Sequence, residues 1–307
     1  MTGPEDPRGP EPHEPPEPPE PPKATDPDGP TAPEVAEASE VDGAAAPEVT
    51  EASKVDGAAA LEAAVAGADG TAILELRDVS AAYGPFRALF GVSLSVGPGE
   101  AVALLGANGA GKTTVARVAT GLVAPTSGSV MVEGQNYTGA GAFKFARAGV
   151  AHAPEGRSVF ATLTVEENLS LSFRQSRGRD GVGSGLEEAF GMFPVLGQRR
   201  RQLAGTLSGG EQRMLSMARV LVESPAVLVA DELSLGLAPK IVDAVYESLT
   251  KLREKGSALL IVEQHVGHAL DLCHRVLLLH HGGVTWEGPS AHAADRVLAE
   301  LFEPAAP

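Results

Sequence analysis

The chain has 307 residues, enough for one large domain or two ordinary ones, and a formal net charge of −16. Residues 1–70 carry 17 Asp and Glu against 3 Lys and Arg, a net charge of −14, which leaves −2 for residues 71–307. The acidity therefore belongs to one segment, and the remainder lacks the basic excess typical of nucleic-acid binding. The single cysteine, Cys273, excludes an intrachain disulfide framework and a cysteine-based zinc cluster, and its apolar neighbours predict a buried thiol.

Residues 1–70 are predicted to be a disordered tail. Residues 1–30 are rich in proline and glutamate, a composition that favours extended chain and cannot bury a core. The segment APEVAEASEVDGAA at 32–45 returns as APEVTEASKVDGAA at 46–59, a 14-residue tandem repeat too short and polar for a solenoid unit. A docking segment for a partner is the alternative interpretation. The N-terminus lacks the features of a signal peptide, and no apolar run approaches the roughly 18 residues of a spanning helix.

From Thr71 the pattern becomes that of an α/β domain, predicted over residues 71–307. Alternating residues in AILELRDVSAAYG predict a half-buried strand, and ALFGVSLSVGPGEAVALLG predicts a strand, a Pro-Gly turn and a buried strand. TTVARVATGLV has helical spacing. PAVLVADE and ALLIVEQ are continuous aliphatic runs, typical of parallel strands that are covered on both faces. Residues 140–220 lack such runs and are predicted to form a mostly helical insertion.

A glycine-rich loop follows the first buried strand. GANGAGKT, residues 106–113, matches the phosphate-binding pattern G-x-x-x-x-G-K-[ST] between a strand and a helix. The glycines let backbone N–H groups face phosphate, Lys112 places an ammonium near the phosphate oxygens, and Thr113 offers a hydroxyl to Mg²⁺. The loop therefore predicts a bound nucleotide with Mg²⁺. The loop residues predicted to bind the nucleotide are Gly106, Asn108, Gly109, Ala110, Gly111, Lys112, Thr113 and Thr114.

The strand AVLVADE ends in two carboxylates. Asp231 is predicted to join the shell of the Mg²⁺ ion, together with Thr113. Glu232 is predicted to orient and polarise the attacking water. A solvated acidic pair at a strand end is the alternative, which the presence of the phosphate-binding loop disfavours.

A second glycine-rich turn, LSGGEQ at 207–212, precedes a predicted helix. The order of loop, LSGGEQ and VLVADE resembles the ATP-binding-cassette (ABC) ATPases, and the resemblance covers about residues 73–288. It implies a P-loop NTPase core of the α/β class with an antiparallel β subdomain and a helical subdomain. It also implies that two subunits, identical or related, pack head to tail, so that each completes the other's ATP site. The residues implied to contact the partner's nucleotide are Ser208, Gly209, Gly210 and Glu211.

The resemblance assigns roles to further residues. Tyr83, 23 residues before the loop, is implied to stack on adenine. Glu155, in HAPEGRSVF, is implied to reach the metal and the attacking water. The switch residue that follows ALLIVE is Gln264 or His265, and only one can serve because adjacent strand residues face opposite sides. Leu233 replaces the proline that usually follows the catalytic glutamate, which implies a less rigid loop.

The motifs PEGR, SLGLAP, VEQ and LTVEENL resemble those of branched-chain amino-acid importer ATPases. That resemblance implies an ATPase on the cytoplasmic face of the cell membrane, working with separate integral membrane permeases and a second ABC ATPase subunit. Two other functions stay open: a soluble ABC ATPase without a transport role, and a nucleotide-binding regulatory module with little turnover. A steady-state ATPase assay separates the last of these from the others.

Overall fold

A computed structural model describes residues 72–154, 156, 158–264 and 266–293. The predicted tail lies outside these ranges, as do two candidate site residues, Glu155 and His265. Each helix in the described ranges is too short or too polar to span a bilayer. The described strands are β1 (Leu74–Tyr83), β2 (Phe86–Val96), β3 (Ala101–Leu105), β4 (Ser127–Val132), β5 (Gln135–Asn136), β6 (Val150–Ala153), β7 (Val227–Asp231), β8 (Ala258–Glu263), β9 (Arg275–His280) and β10 (Gly283–Pro289).

The described helices follow the strands or form a cluster in the middle of the chain. They are α1 (Lys112–Ala119), α2 (Ala142–Arg147), α3 (Val165–Arg177), α4 (Val182–Met192), α5 (Pro194–Gln198), α6 (Gly209–Leu221), α7 (Pro239–Glu254) and α8 (Val266–Leu272), with short 3₁₀ turns at Ala204–Thr206 and Ser290–His292. α3 begins with a capping box, in which the Thr164 hydroxyl accepts from the backbone of Glu167 and the Glu167 carboxylate accepts from the backbone of Thr164.

The strands form two sheets. The antiparallel sheet has the order β2–β1–β4–β5, and the apolar residues of β1 face its buried side, where Leu74 pairs with Val96 and Leu76 with Leu94. The larger sheet has the order β10–β9–β3–β8–β7–β6, in which every neighbouring pair is parallel except β9 and β10. The predicted α/β class, with its antiparallel subdomain, is confirmed.

The parallel strands are buried on both faces because two different layers cover them. On β3, Ala101, Ala103 and Leu105 join a core with the helices of the insertion and α7. Val102 and Leu104, which point the other way, join a core with α1 and the antiparallel sheet. This double burial explains the continuous aliphatic runs in the sequence.

The stretch predicted to be mostly helical, residues 140–220, also contains a strand. α3 to α6 pack around buried Phe173, Leu169 and Leu196, but residues 150–153 form β6 at the edge of the large sheet. The sequence VAHA has only four residues and a histidine among them, so it lacks the aliphatic run that marks the other parallel strands. The boundaries of the subdomain as a whole stay a prediction.

The prediction of a buried thiol is confirmed: Cys273 is buried, and that burial raises the pKa of its thiol to about 12. β9 and β10 form an antiparallel hairpin, and the Trp286 ring packs against Gly288 on it. The carboxyl ends of β3, β7 and β8 lie at one edge of the sheet, since Leu105 pairs with Glu263 and Asp231 pairs with Val262. Ligands of open α/β sheets bind at such an edge.

Candidate nucleotide-binding and catalytic site

The phosphate-binding loop connects the carboxyl end of β3 to α1. A Cβ atom at Gly106 would overlap the carbonyl oxygen of Leu279, so a side chain there would push the loop away from β9. Gly109 and Gly111 have φ values of 79° and 105°, the left-handed region that glycine adopts without steric cost. α1 begins directly after Gly111 without a side-chain cap. Its first N–H groups therefore face the mouth of the loop, as an anion requires.

Lys112 lies inside the loop. Its ammonium donates to the carbonyl oxygens of Gly106 at 2.9 Å and Ala107 at 3.1 Å, and it lies 4.0 Å from Glu232 Oε1. The side chain is only 5% exposed, so the charge is held at one place. A fixed, largely desolvated ammonium beside helix N–H groups can attract the terminal phosphates of a nucleotide.

Thr113 and Asp231 meet across the two strand ends. The Thr113 hydroxyl donates to Asp231 Oδ1 at 3.5 Å, and Asp231 is buried at the end of β7. Mg²⁺ prefers oxygen ligands and is often bound by one or two carboxylates together with substrate phosphates. The hydroxyl and the carboxylate therefore fit a Mg²⁺ site that a nucleotide would complete.

Glu232 turns away from the sheet. Its φ is 49°, which is uncommon for a residue other than glycine, and its N–H donates to the carbonyl oxygen of Val262 at 2.8 Å. Residues in such conformations cluster at functional sites. The turn brings the Glu232 carboxylate to the cleft that also holds Lys112.

These residues line one cleft of about 770 Å³. Its walls are formed by Arg87, Ala88, Phe90, Asn108, Gly109, Gly111, Lys112, Thr113, Thr114, Glu232, Leu235, Gln264, His281 and Gly282. Two other predicted loop residues do not line the cleft but contact neighbouring segments. Gly106 lies close to β9, and the carbonyl oxygen of Ala110 accepts from Gly282 N–H at 2.8 Å. The structure thus brings the loop, Glu232 and Gln264 together.

Gln264 lines the cleft just after β8, and its N–H donates to Glu263 Oε2 at 3.3 Å. The choice between Gln264 and His265 stays open, since His265 lies outside the described residues. Glu155 also lies outside them, although neighbouring Gly156 accepts from the Arg213 guanidinium at 3.4 Å.

Tyr83 lies at the end of β1 and is 41% exposed. Its hydroxyl accepts from the Arg117 guanidinium at 3.4 Å. The aromatic ring that lines the cleft is that of Phe90, with the Arg87 guanidinium 4.9 Å from its centroid. Stacking of Tyr83 on adenine stays a prediction.

The LSGGEQ turn forms the start of α6. The Ser208 hydroxyl accepts from Glu211 N–H at 3.3 Å, and the Glu211 carboxylate accepts from Ser208 N–H at 2.9 Å and pairs with Arg199 at 3.0 Å. Gly209 and Gly210 form the first turn of the helix. None of the described residues that line the cleft belongs to this turn. The chain therefore has a second helix N-terminus of the kind that binds anions, separate from its own phosphate-binding loop.

Comparison with known proteins agrees with this geometry. Residues 89–234 match the ABC transporter family model. The BraG protein of Pseudomonas aeruginosa, a high-affinity branched-chain amino acid transport ATP-binding protein, is 40% identical over 71% of this chain and 94% of its own length. The chain belongs to the ABC transporter ATP-binding proteins.

Other members of the family match this ABC ATPase as well. The probable branched-chain amino acid transport ATP-binding protein LivF of Archaeoglobus fulgidus is 35% identical over 68% of this chain and 89% of its own length. The lipopolysaccharide export system ATP-binding protein LptB of Haemophilus influenzae is 32% identical over 70% and 90%. A solved ATP-binding subunit of an ABC transporter is 26% identical, with a TM-score of 0.65 over 76% of this chain and 95% of that chain.

The sequence analysis did not identify one group of residues that line the ABC ATPase cleft. Phe90 and Arg87 on β2, and His281 in the β9–β10 turn, line it. Phe90 N–H donates to the carbonyl oxygen of Gly282 at 2.8 Å, a contact between distant segments that no local pattern reveals. The only available signal was an aromatic residue at an outward-facing position of β2, and Phe90 is indeed about half exposed.

Proposed function

We propose that this ABC ATPase energises the import of branched-chain amino acids through separate integral membrane permeases. The observation that supports this function best is the 40% identity to BraG over nearly all of that protein. Relatives from export systems match at lower identity, so a test of the function has to separate uptake from export.

We infer that the cleft hydrolyses ATP with residues of this chain in fixed roles. The α1 N–H groups and the Lys112 ammonium would bind the phosphates, and the Glu232 carboxylate, 4.0 Å from that ammonium, would lie beside the terminal phosphate. Glu232 accepts a proton from the attacking water as the water oxygen bonds to the γ-phosphorus and the bond to ADP breaks. Gln264 or His265 orients the same water or the γ-phosphate.

Thr113 and Asp231 would hold Mg²⁺, with Glu155 as a further ligand or a contact to the attacking water. When bound, the ion would neutralise phosphate charge. The fit rests on the hydroxyl and the buried carboxylate that meet at 3.5 Å.

A second cassette subunit, identical or related, would complete the site. The capped turn at Ser208, Gly209, Gly210 and Glu211 presents the N-terminal end of a 13-residue helix, and such an end favours anions. It does not line the chain's own cleft in the described structure, which fits a turn that serves the nucleotide of a neighbouring chain. Tyr83 would stack on the adenine of the nucleotide in its own cleft.

A groove of about 660 Å³ lies between the large sheet and the helical insertion, and we propose that a permease helix docks there. It is lined by residues of α2, β6, α3 and α6, among them Ala146, His152, Ser176 and Arg219. Among the described residues, His152 Nε2 and Arg219 Nε are buried without a hydrogen-bond partner. Arg219 Nη1 already donates to the carbonyl oxygen of Ser158 at 2.8 Å. Buried polar atoms of folded proteins are normally paired, so a docked segment with an acceptor group would supply the partner that Arg219 Nε lacks. Docking of this kind would place the chain on the cytoplasmic face of the membrane.

A matched pair of serine variants tests the groove. Ser176 lines it and Ser184 does not; both are exposed on insertion helices, and each hydroxyl donates to a nearby backbone carbonyl of its own chain segment. Ser176→Arg should fill the groove and abolish solute transport while leaving ATP hydrolysis by the isolated subunit intact. Ser184→Arg should preserve both activities.

Uptake of radiolabelled leucine, isoleucine and valine by a deletion strain tests the transport function. Wild-type and Ser184→Arg genes should restore uptake, whereas Ser176→Arg and Glu232→Gln should not. Unchanged uptake in the deletion strain would overturn the proposed substrate, and increased cellular retention of a solute would indicate export.

A further inference from the structure

The loop that follows the catalytic glutamate, residues 232–237, is held by a buried carboxylate from the neighbouring strand. Glu263 ends β8, is 1% exposed and receives four hydrogen bonds. Its Oε1 accepts from Ser234 N–H at 3.0 Å and from the Tyr246 hydroxyl at 3.4 Å. Its Oε2 accepts from the Ser234 hydroxyl at 3.1 Å and from Gln264 N–H at 3.3 Å. One side chain therefore connects the loop to the cleft residue Gln264.

The other side of the same loop is held by the helix that begins at the LSGGEQ turn. Arg213 on α6 is buried, and its guanidinium donates to the carbonyl oxygens of Leu233, at 3.2 Å, and of Glu232. Within the loop, Leu235 N–H donates to Glu232 and Leu237 N–H donates to Ser234. Leu233 itself is buried in the core. The backbone of the loop is thus fixed from both sides.

We propose that Glu263 is a positioning residue for ATP hydrolysis: by latching Ser234, it holds the loop so that Glu232 faces the attacking water. The proposal rests on the role of Glu232 as the base. The Glu232 backbone has a left-handed conformation that a non-glycine residue leaves readily unless its surroundings fix it. Ser234, two residues after Glu232, donates both its backbone N–H and its hydroxyl to the Glu263 carboxylate. Neither hydrogen bond involves the phosphate-binding loop.

A glutamine cannot replace Glu263 in this network. All four contacts are donors, so both oxygens of residue 263 must accept. Each oxygen accepts one hydrogen bond from a hydroxyl group and one from a backbone N–H. A hydroxyl can rotate and become the acceptor, whereas a backbone N–H can only donate. Whichever way a glutamine amide is turned, its NH₂ group faces the N–H of Ser234 or of Gln264. Glu263→Gln therefore preserves the shape of the side chain while it breaks the latch.

Steady-state ATPase kinetics of the full chain test the proposal. In Glu263→Gln, kcat should fall about 10- to 100-fold, the effect of a catalytic group displaced by about 1 Å, while KM for ATP should stay unchanged because the phosphate contacts are intact. Ser234→Ala, which loses only the hydroxyl contact, should lower kcat less. The two effects should not multiply in the double variant, because Glu263→Gln already disturbs the partner of that hydroxyl.

Ser257→Ala is the matched control for Ser234→Ala. The Ser257 hydroxyl also makes a buried hydrogen bond, to the carbonyl oxygen of Pro225 at 2.7 Å, but far from the catalytic loop in sequence. Its kcat should match wild type, so a loss confined to Ser234→Ala cannot reflect lost stability alone. This comparison stands even if Glu263→Gln does not fold. Wild-type kcat in folded Glu263→Gln or in Ser234→Ala, or effects that multiply, would overturn the latch, whereas an active Glu232→Gln would overturn the base assignment instead.

Discussion

Replacement of Glu232 by glutamine tests the catalytic assignment, because it removes one negative charge and one proton acceptor at nearly constant volume. The carboxylate lies 4.0 Å from the Lys112 ammonium, and both side chains are largely buried. At an effective dielectric constant of about 20, the attraction of two unit charges at that distance is about 4 kcal/mol. Desolvation of the two groups offsets part of this attraction.

The expected result is slow turnover with retained ATP binding. Loss of a general base costs about 10²- to 10⁴-fold in kcat, which corresponds to about 2.7–5.5 kcal/mol in the activation free energy. Without the carboxylate, Lys112 keeps its hydrogen bonds to the carbonyl oxygens of Gly106 and Ala107, and a neutral amide repels phosphate less than a carboxylate does. ATP should therefore bind at least as tightly as in wild type. Because it is hydrolysed slowly, ATP should accumulate in a dimer of two ATPase chains.

Phosphate release measures turnover, and light scattering with ATP measures the persistence of a dimer. Glu247→Gln provides the control, since it makes the same chemical change on the exposed face of α7, where Glu247 pairs with Lys251. Glu247→Gln should hydrolyse ATP at the wild-type rate. Turnover near wild type in Glu232→Gln would refute the reasoning.

Two further predictions concern titratable groups away from the cleft. Because burial raises the pKa of Cys273 to about 12, its thiol should react with a disulfide reagent at pH 8 only after unfolding in denaturant; rapid reaction of the folded chain would contradict its burial. Burial and the nearby Arg117 charge lower the pKa of His152 from 6.5 to about 4. Between pH 6.5 and pH 4 the unfolded chain therefore binds one more proton at this residue than the folded chain does, so the free energy of unfolding should fall as the pH drops through this range. The free energy of unfolding, from urea titrations at pH 7 and pH 5, should show a smaller pH difference in His152→Asn than in wild type, and an equal difference would contradict the assignment.

The parts of the site that depend on short continuous stretches could be predicted from the sequence. The GANGAGKT loop and the VLVADE strand each carry their chemistry within a few residues, and the parallel pairing of β3, β7 and β8 aligns their ends without further information. The same holds for the capped turn at Ser208, where the partner residue is three positions away.

Contacts between distant segments could not be predicted in this way. In the sequence, Glu263 is the last residue of an aliphatic strand, and three of its four donors belong to Ser234 and Tyr246, which only the fold brings close to it. In the sequence, Arg213 is one of the arginines on an amphipathic helix. Its partners, the carbonyl oxygens of Glu232 and Leu233, lie 19 and 20 residues further along the chain. The strand β6 was not predicted because it is short and lies at the edge of the sheet.

The importer function is tested most directly by isolating the tagged full chain from detergent-solubilised native membranes and identifying its partners by mass spectrometry. The wild type and Ser184→Arg should co-purify polytopic permeases, together with any second cassette ATPase, and Ser176→Arg should lose the permeases. Recovery of wild type only in the soluble fraction, with ribosomal or assembly proteins and no permease, would contradict the transport function while leaving the ATPase chemistry intact.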